Sequence, residues 1–239
     1  MKNISDATKQ DWSTQTCEQA LTGFSVTENG LSNEQYQQRL VEFGINEIAK
    51  GKPTPWYILL ARQFASPLIY ILLLAAIITG YMGHFNDVFI ILTVLLVNSA
   101  IGFHQERKAE RAINNIKGMS APTCRVRRDG KIGETEAGKI VPGDIIVLEE
   151  GDRVPADARI LSAVRLQVEE SIFTGETVAA PKNPEPLDQP SGIADKTNMV
   201  FMGTHVTAGR AEILVTSTGM ATELGKIAGL VQSADEILT

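Results

Sequence analysis

Two long runs without a charged side chain constrain this chain more than any other feature. No Asp, Glu, Lys or Arg occurs from Gln63 to Asn86, a stretch of 24 residues, nor from Val88 to Gln105, a stretch of 18. At about 1.5 Å per residue, each can cross a ~30 Å hydrocarbon core as a helix. Leu68 to Ile78 and Val88 to Val97 have no amphipathic stripe, as suits helices that face lipid. The alternative is a buried helical hairpin in a soluble protein, which needs a far larger core than 239 residues offer. The sequence therefore predicts a membrane segment over 56–105 with two transmembrane helices, about 63–82 and 86–105.

The flanks set the orientation. Lys50, Lys52 and Arg62 precede the first run, Arg107, Lys108 and Arg111 follow the second, and Gly80 to Asp87 has neither Lys nor Arg. By the positive-inside rule both ends are cytoplasmic, which predicts a multi-pass protein of the cell membrane. The first ~55 residues are polar, so no cleavable leader is expected. With 22 Lys+Arg against 28 Asp+Glu the net charge is −6, the wrong sign for a nucleic-acid partner. Cys17 and Cys124 form no C-x-x-C pattern, so neither a disulfide scaffold nor a thiolate metal site is expected.

Residues 1–22 carry no clear periodicity and are expected to be disordered. In 23–55, a cytosolic helical segment, Ser32 and Gln35 form a capping-box pattern, Leu31 and Tyr36 sit at the staple positions and Gly44 supplies a stop. One helix is predicted there, about Asn33 to Phe43. Over 106–239 the reading is a stalk followed by a β-rich body. Ala109, Ala112, Ile113 and Ile116 share a helical face, extending a stalk over His104 to Lys117. From 122 to 218 the period shifts to short β-rich runs: Thr123 to Arg128, Asp144 to Glu149, Asp157 to Ser162, Met199 to Val206 and Arg210 to Thr216. Bends at Asp129-Gly130, Pro142-Gly143 and Glu150-Gly151 separate them, which predicts a compact sandwich or jelly roll with a Pro-rich surface loop from Pro181 to Pro190. Leu224, Ile227, Ala228 and Val231 predict a terminal helix over 221–235.

Three segments resemble phosphate-handling motifs. Gly133 to Lys139 fits the start of a P-loop, but Ile140 replaces its hydroxyl residue and Pro142 and Gly143 block the helix that must follow, so an exposed turn is the better reading. Asp195-Lys196-Thr197 begins like a phosphorylated-aspartate site and departs from it at Asn198, which favours a loop leading into the Met199 strand. Thr174-Gly175-Glu176 is weak alone, since Gly beside polar residues usually marks a turn.

Its neighbourhood is more informative. Val141 to Asp157, followed by Val168 to Thr177, closely resembles the actuator domain of P-type cation-transporting ATPases, with further matches at Gly30-Leu31, Gly44 to Glu47, Ser66 to Tyr70, Asn198 to Thr204 and Thr222 to Ala228. The resemblance runs from about Gly23 to Val231. It implies an α+β membrane protein fragment: a transmembrane helical hairpin plus an all-β, jelly-roll-like actuator domain with flanking helices.

It also implies a role. In that family an aspartyl phosphate forms and is hydrolysed, and Thr174, Gly175 and Glu176 would form the loop that assists hydrolysis: Glu176 orients or deprotonates the attacking water, Gly175 permits close backbone approach, and Thr174 supplies a hydroxyl. Phe173 and Thr177 depart from the usual Leu and Ser flanks. The resemblance implies no cofactor or metal site in this chain, ATP and Mg2+ for the complete pump, and as partners the lipid bilayer and the remaining pump domains. The expected reading is an N-terminal fragment cut after the actuator domain, inactive alone. It looks like the branch that moves calcium, sodium, potassium or protons. The alternative is a membrane-anchored, non-catalytic module that regulates a full-length pump.

Overall fold

The computed structural model describes residues 4–8, 10–49, 67–118 and 122–237. The chain divides into two units, one of Met1–Ala49 with Ala121–Thr239 and one of Lys50–Ser120.

In the second unit, helices α4 (Pro67–Tyr81) and α5 (Phe85–Gly118) form a hairpin. The expected start of the first membrane helix, 63–66, lies outside the described residues. Phe85–Gln105 is long and apolar enough to cross a membrane, and Ile69–Tyr81 is a shorter apolar helix. Ile69, Ala76, Leu95 and Ser99 are buried, whereas Phe89, Ile90 and Leu96 point outward. A Cβ at Gly80 would stand 3.5 Å from Val88, ordinary van der Waals contact, so the two helices pack against each other near their turn without requiring glycine there. Thr79 and Thr93 return their hydroxyls to carbonyls one turn back, which keeps these polar groups satisfied in an apolar setting. Helix α5 continues unbroken to Gly118, spanning the residues expected as a stalk.

The first unit is built on one seven-stranded antiparallel sheet: β1 (Thr123–Arg128), β2 (Lys131–Glu136), β3 (Ile145–Glu149), β4 (Asp157–Glu169), β5 (Ala180–Pro181), β6 (Met199–Val200) and β7 (His205–Ser217). The order is β2-β1-β3-β7-β4-β5, with β6 also paired to β4. Neighbouring residues serve opposite faces, as the pleat requires: Ile146, Ile160 and Ile213 enter one apolar core, while Ile145 and Leu214 enter the other. Burial on both faces makes these strands read as unbroken apolar runs.

The second core is closed by the N-terminal residues. Helices α1 (Ile4–Ala7), α2 (Cys17–Gly23) and α3 (Asn33–Phe43), with a 3-10 turn at Trp12–Thr14, bring Trp12, Phe24, Leu31 and Tyr36 onto Ile145 and Leu214. The disorder expected for 1–22 is therefore corrected over 4–8 and 10–22, where Trp12 is 4% exposed and packs on Phe24 with ring centroids 5.3 Å apart. Helix α3 starts and stops where its capping residues place it. Ser32 and Gln35 exchange both capping-box hydrogen bonds, and Gly44 ends it at φ 72°.

Two clamps fix this N-terminal segment. Arg159, fully buried, donates to the carbonyls of Trp12, Gln15, Ile160, Pro184 and Asn198. Asn46 donates from its amide to Ala137 and Pro155 and accepts the N–H of Gly219. Other differences from the sequence reading lie in the strands. β4 and β7 run 13 residues each, longer than expected, β2 was not anticipated, and Met199 to Val206 divides at a turn where Gly203 has φ 94°. Helix α7 (Glu223–Ile237) follows a 3-10 turn at Gly219–Ala221.

Candidate functional site

The Thr174-Gly175-Glu176 loop is the tip of the connection between β4 and β5. These strands pair at Gln167 with Pro181 and at Val168 with Ala180, so the chain leaves and re-enters the sheet through one narrow stem. Beyond Glu170 it forms a single helical turn, α6 (Ser171–Thr174), whose carbonyl–amide bonds run from the N–H groups of Phe173 and Thr174 to Glu170 O and from Gly175 to Ser171 O. Gly175 closes the turn in the left-handed region at φ 75°, ψ −3°. A Cβ there would meet no atom within 4 Å, so glycine is favoured by backbone conformation and not by crowding inside the chain.

Thr174 shapes the same turn twice: its hydroxyl donates to Glu170 O at 3.2 Å and accepts the Glu176 N–H at 3.2 Å. Phe173 turns inward and meets Phe201 edge to face, 5.7 Å between centroids, which anchors the loop to the second core. Ile172 and Val178 face outward, 48% and 79% exposed. Thr174, Gly175 and Glu176 are all exposed. The three sequence-predicted residues are thus contiguous on a surface turn, with the Glu176 side chain open to solvent.

The base of the loop is different. Glu170 and Lys182 have side chains 2% and 1% exposed, and Lys182 Nζ lies 2.7 Å from Glu170 Oε1. Burial pushes the Glu170 carboxyl up and the Lys182 ammonium down, each opposed by the charge of the other. Nothing in the local spacing of the sequence marks this pair, because its members stand on either side of a loop.

The other two phosphate-like segments have structural roles. Gly133 to Lys139 lies in strand β2 and the 3-10 turn after it, and Lys139 bonds Glu136 at 2.8 Å. No helix follows; the chain passes to β3. Lys196 bonds Asp11 at 2.9 Å, and the Asn198 amide donates to Ser13 and Glu185 carbonyls, both at 2.7 Å, so this loop ties the N-terminal segment to the sheet. In the Pro142-Gly143-Asp144 bend, Asp144 receives a two-pronged bond from Arg128 at 2.8 and 2.6 Å and the Val141 N–H at 2.9 Å. Cys124 is a free thiol whose pKa burial pushes up to about 12, which makes it unreactive as a nucleophile at neutral pH.

An antiparallel sheet presenting an exposed Thr-Gly-Glu turn, closed by N-terminal helices and accompanied by an apolar hairpin, defines an actuator-type module. Residues 118–232 match the P-type ATPase actuator domain family, and residues 12–79 match the N-terminal family of cation transporters and ATPases. This chain belongs to the P-type cation-transporting ATPases. A calcium-transporting ATPase of Listeria monocytogenes is 37% identical over 91% of this chain and 25% of its own length. A calcium-transporting ATPase of Bacillus subtilis is 38% identical over 88% and 24%, and a probable cation-transporting ATPase F of Mycobacterium tuberculosis is 38% identical over 88% and 23%. The chain spans about a quarter of the length of these relatives.

Proposed function

We propose that this chain supplies the first membrane hairpin and the actuator domain of an ATP-driven cation pump, and that Glu176 assists hydrolysis of an aspartyl phosphate carried by another part of that pump. The single observation behind this reading is the Glu176 side chain, exposed on a turn whose backbone is fixed by Thr174 and Gly175. A turn that is open at its tip and bonded at its base can enter a cleft on another domain without unfolding.

Water attacks phosphorus, the bond from phosphorus to the aspartate oxygen breaks, and the proton from water passes to the Glu176 carboxylate. Inorganic phosphate leaves and the aspartate carboxylate is restored. A carboxylate suits this task because it accepts a hydrogen bond from water and holds it in line with the departing oxygen. Holding the water contributes through orientation, so small errors in the loop's placement should be costly.

ATP and Mg2+ act in this proposal on pump domains beyond the actuator, and the lipid bilayer and those domains are its partners. The flanking Lys and Arg residues support a cytoplasmic location for the actuator and the N-terminal segment. The names of the relatives make calcium the first cation to assay. The deciding measurement is phosphoenzyme decay in a complete pump carrying this chain. Glu176→Gln should form acyl phosphate normally and lose it at least ~100-fold more slowly; unchanged decay removes Glu176 from the mechanism.

A further inference from the structure

The loop's free tip contrasts with its buried stem. Glu170 follows β4 and Lys182 follows β5, with residues 171–181 between them. Lys182 is held from three directions: its N–H donates to Leu166 O at 3.0 Å, its ammonium donates to Lys196 O at 3.0 Å, and it lies 2.7 Å from Glu170 Oε1. Glu170 Oε1 has no hydrogen-bond partner among the described groups, so the Lys182 ammonium holds it as an ion pair. Its backbone carbonyl meanwhile accepts the Phe173 and Thr174 N–H groups and the Thr174 hydroxyl. One residue therefore fastens the reactive turn through its main chain and grips the returning strand through its side chain.

Buried ion pairs are poor sources of net stability, because desolvation cancels most of the attraction, and an apolar pair of the same shape often serves as well. Their best-supported use is to fix one geometry against its alternatives. Here the pair sits where the loop leaves and rejoins the sheet, so the geometry it fixes is that of the stem.

We propose that the Glu170–Lys182 ion pair is a clasp that holds the 171–181 loop in one arrangement and so positions the Glu176 carboxylate for phosphoenzyme hydrolysis. Both are positioning residues that touch no reacting atom. The functional half of this inference rests on the role proposed above for Glu176; the ordering half does not.

The test uses two readouts. In the 239-residue chain in lipid nanodiscs, amide exchange at residues 173–177 is compared with exchange in β3 and β7. In a complete pump carrying the chain, acyl-phosphate formation and decay are followed. The informative variant is Glu170→Gln with Lys182→Met, which removes both charges together and leaves no unpaired ion. It is expected to retain the protection of β3 and β7, to speed exchange at 173–177 about 10-fold or more, and to slow decay roughly 10-fold without slowing phosphorylation. Lys182→Arg should restore part of both effects.

If the double variant leaves loop exchange unchanged, the clasp is overturned whatever the pump does. If exchange speeds but decay is unchanged while Glu176→Gln slows it, the positioning role is overturned and the Glu176 reading stands. If Glu176→Gln leaves decay unchanged, the Glu176 reading falls by itself, and the exchange measurement still judges the clasp.

Discussion

Asp157, the first residue of β4, caps helix α7 across the fold: its Oδ2 accepts the Glu223 N–H at 2.7 Å while its Oδ1 accepts the Met202 N–H at 2.8 Å. The residue is 5% exposed, and burial outweighs these two bonds, pushing its carboxyl up to about 6. An unfolded Asp titrates near ~3.9, so the folded state binds the proton more tightly. This contribution to stability is full below about pH 4, declines as pH rises toward 6, and is constant above it. Asp157→Asn should remove that decline and give one N–H a poor partner, so its cost relative to wild type should be larger at pH 4.5 than at pH 7. Denaturant unfolding at pH 4.5 and 7, followed by tryptophan fluorescence, checks both.

The Arg159 clamp makes a sharper claim. Its guanidinium serves five carbonyls and faces no carboxylate among the described residues, so its planar fork of donors matters more than its charge. Arg159→Lys should fail to rescue what Arg159→Met loses, roughly 3 kcal/mol or more, because several buried carbonyls lose their donors in both. Early protease cleavage between residues 10 and 23 is the expected signature.

Gly175 separates conformation from crowding. Since no described atom would meet its Cβ, Gly175→Ala should cost only the left-handed backbone term, about 1–2 kcal/mol, and Gly175→Asn less. In a complete pump both should slow phosphoenzyme decay in that order. A bare loss of stability with unchanged decay would mean that the turn's conformation does not matter to catalysis.

The proposed orientation is checked at the hairpin turn. Met82, 64% exposed, lies in the segment from Gly80 to Asp87 that has no Lys or Arg. In a cysteine-free background, Met82→Cys should react with a membrane-impermeant thiol reagent added to intact cells, whereas a cysteine at Val41, 87% exposed, should react only after lysis. The reverse pattern would invert the topology.

What could be read from the sequence divides along physical lines. Ser32 with Gln35 marked α3 because a capping box is a local device, and the charge-free runs marked the hairpin for the same reason. Strand β2 stayed hidden because Lys131 to Glu136 is an edge strand with an almost wholly exposed, polar face. β4 and β7 looked short because bulges between Ile160 and Ser162 and between Val164 and Gln167 break their alternation. Helices α1 and α2 were missed although Thr16 and Gln19 form a second capping box, since the core that Trp12 and Phe24 join is completed by Ile145, Met199 and Leu214, more than a hundred residues away. The exposed loop was legible only through its resemblance to a family. Its Glu170–Lys182 stem was not, for pairing across a loop leaves no periodic trace.

The dependence of residues 10–23 on Arg159 sets an order of events at the ribosome. The Trp12 carbonyl and its donor Arg159 are separated by 147 positions, with both hydrophobic helices emerging in between. The amino-terminal segment cannot complete its packing until both apolar helices and the long strands have been made. Such delayed closure is slow and leaves apolar surface of the newborn N-terminus exposed during synthesis.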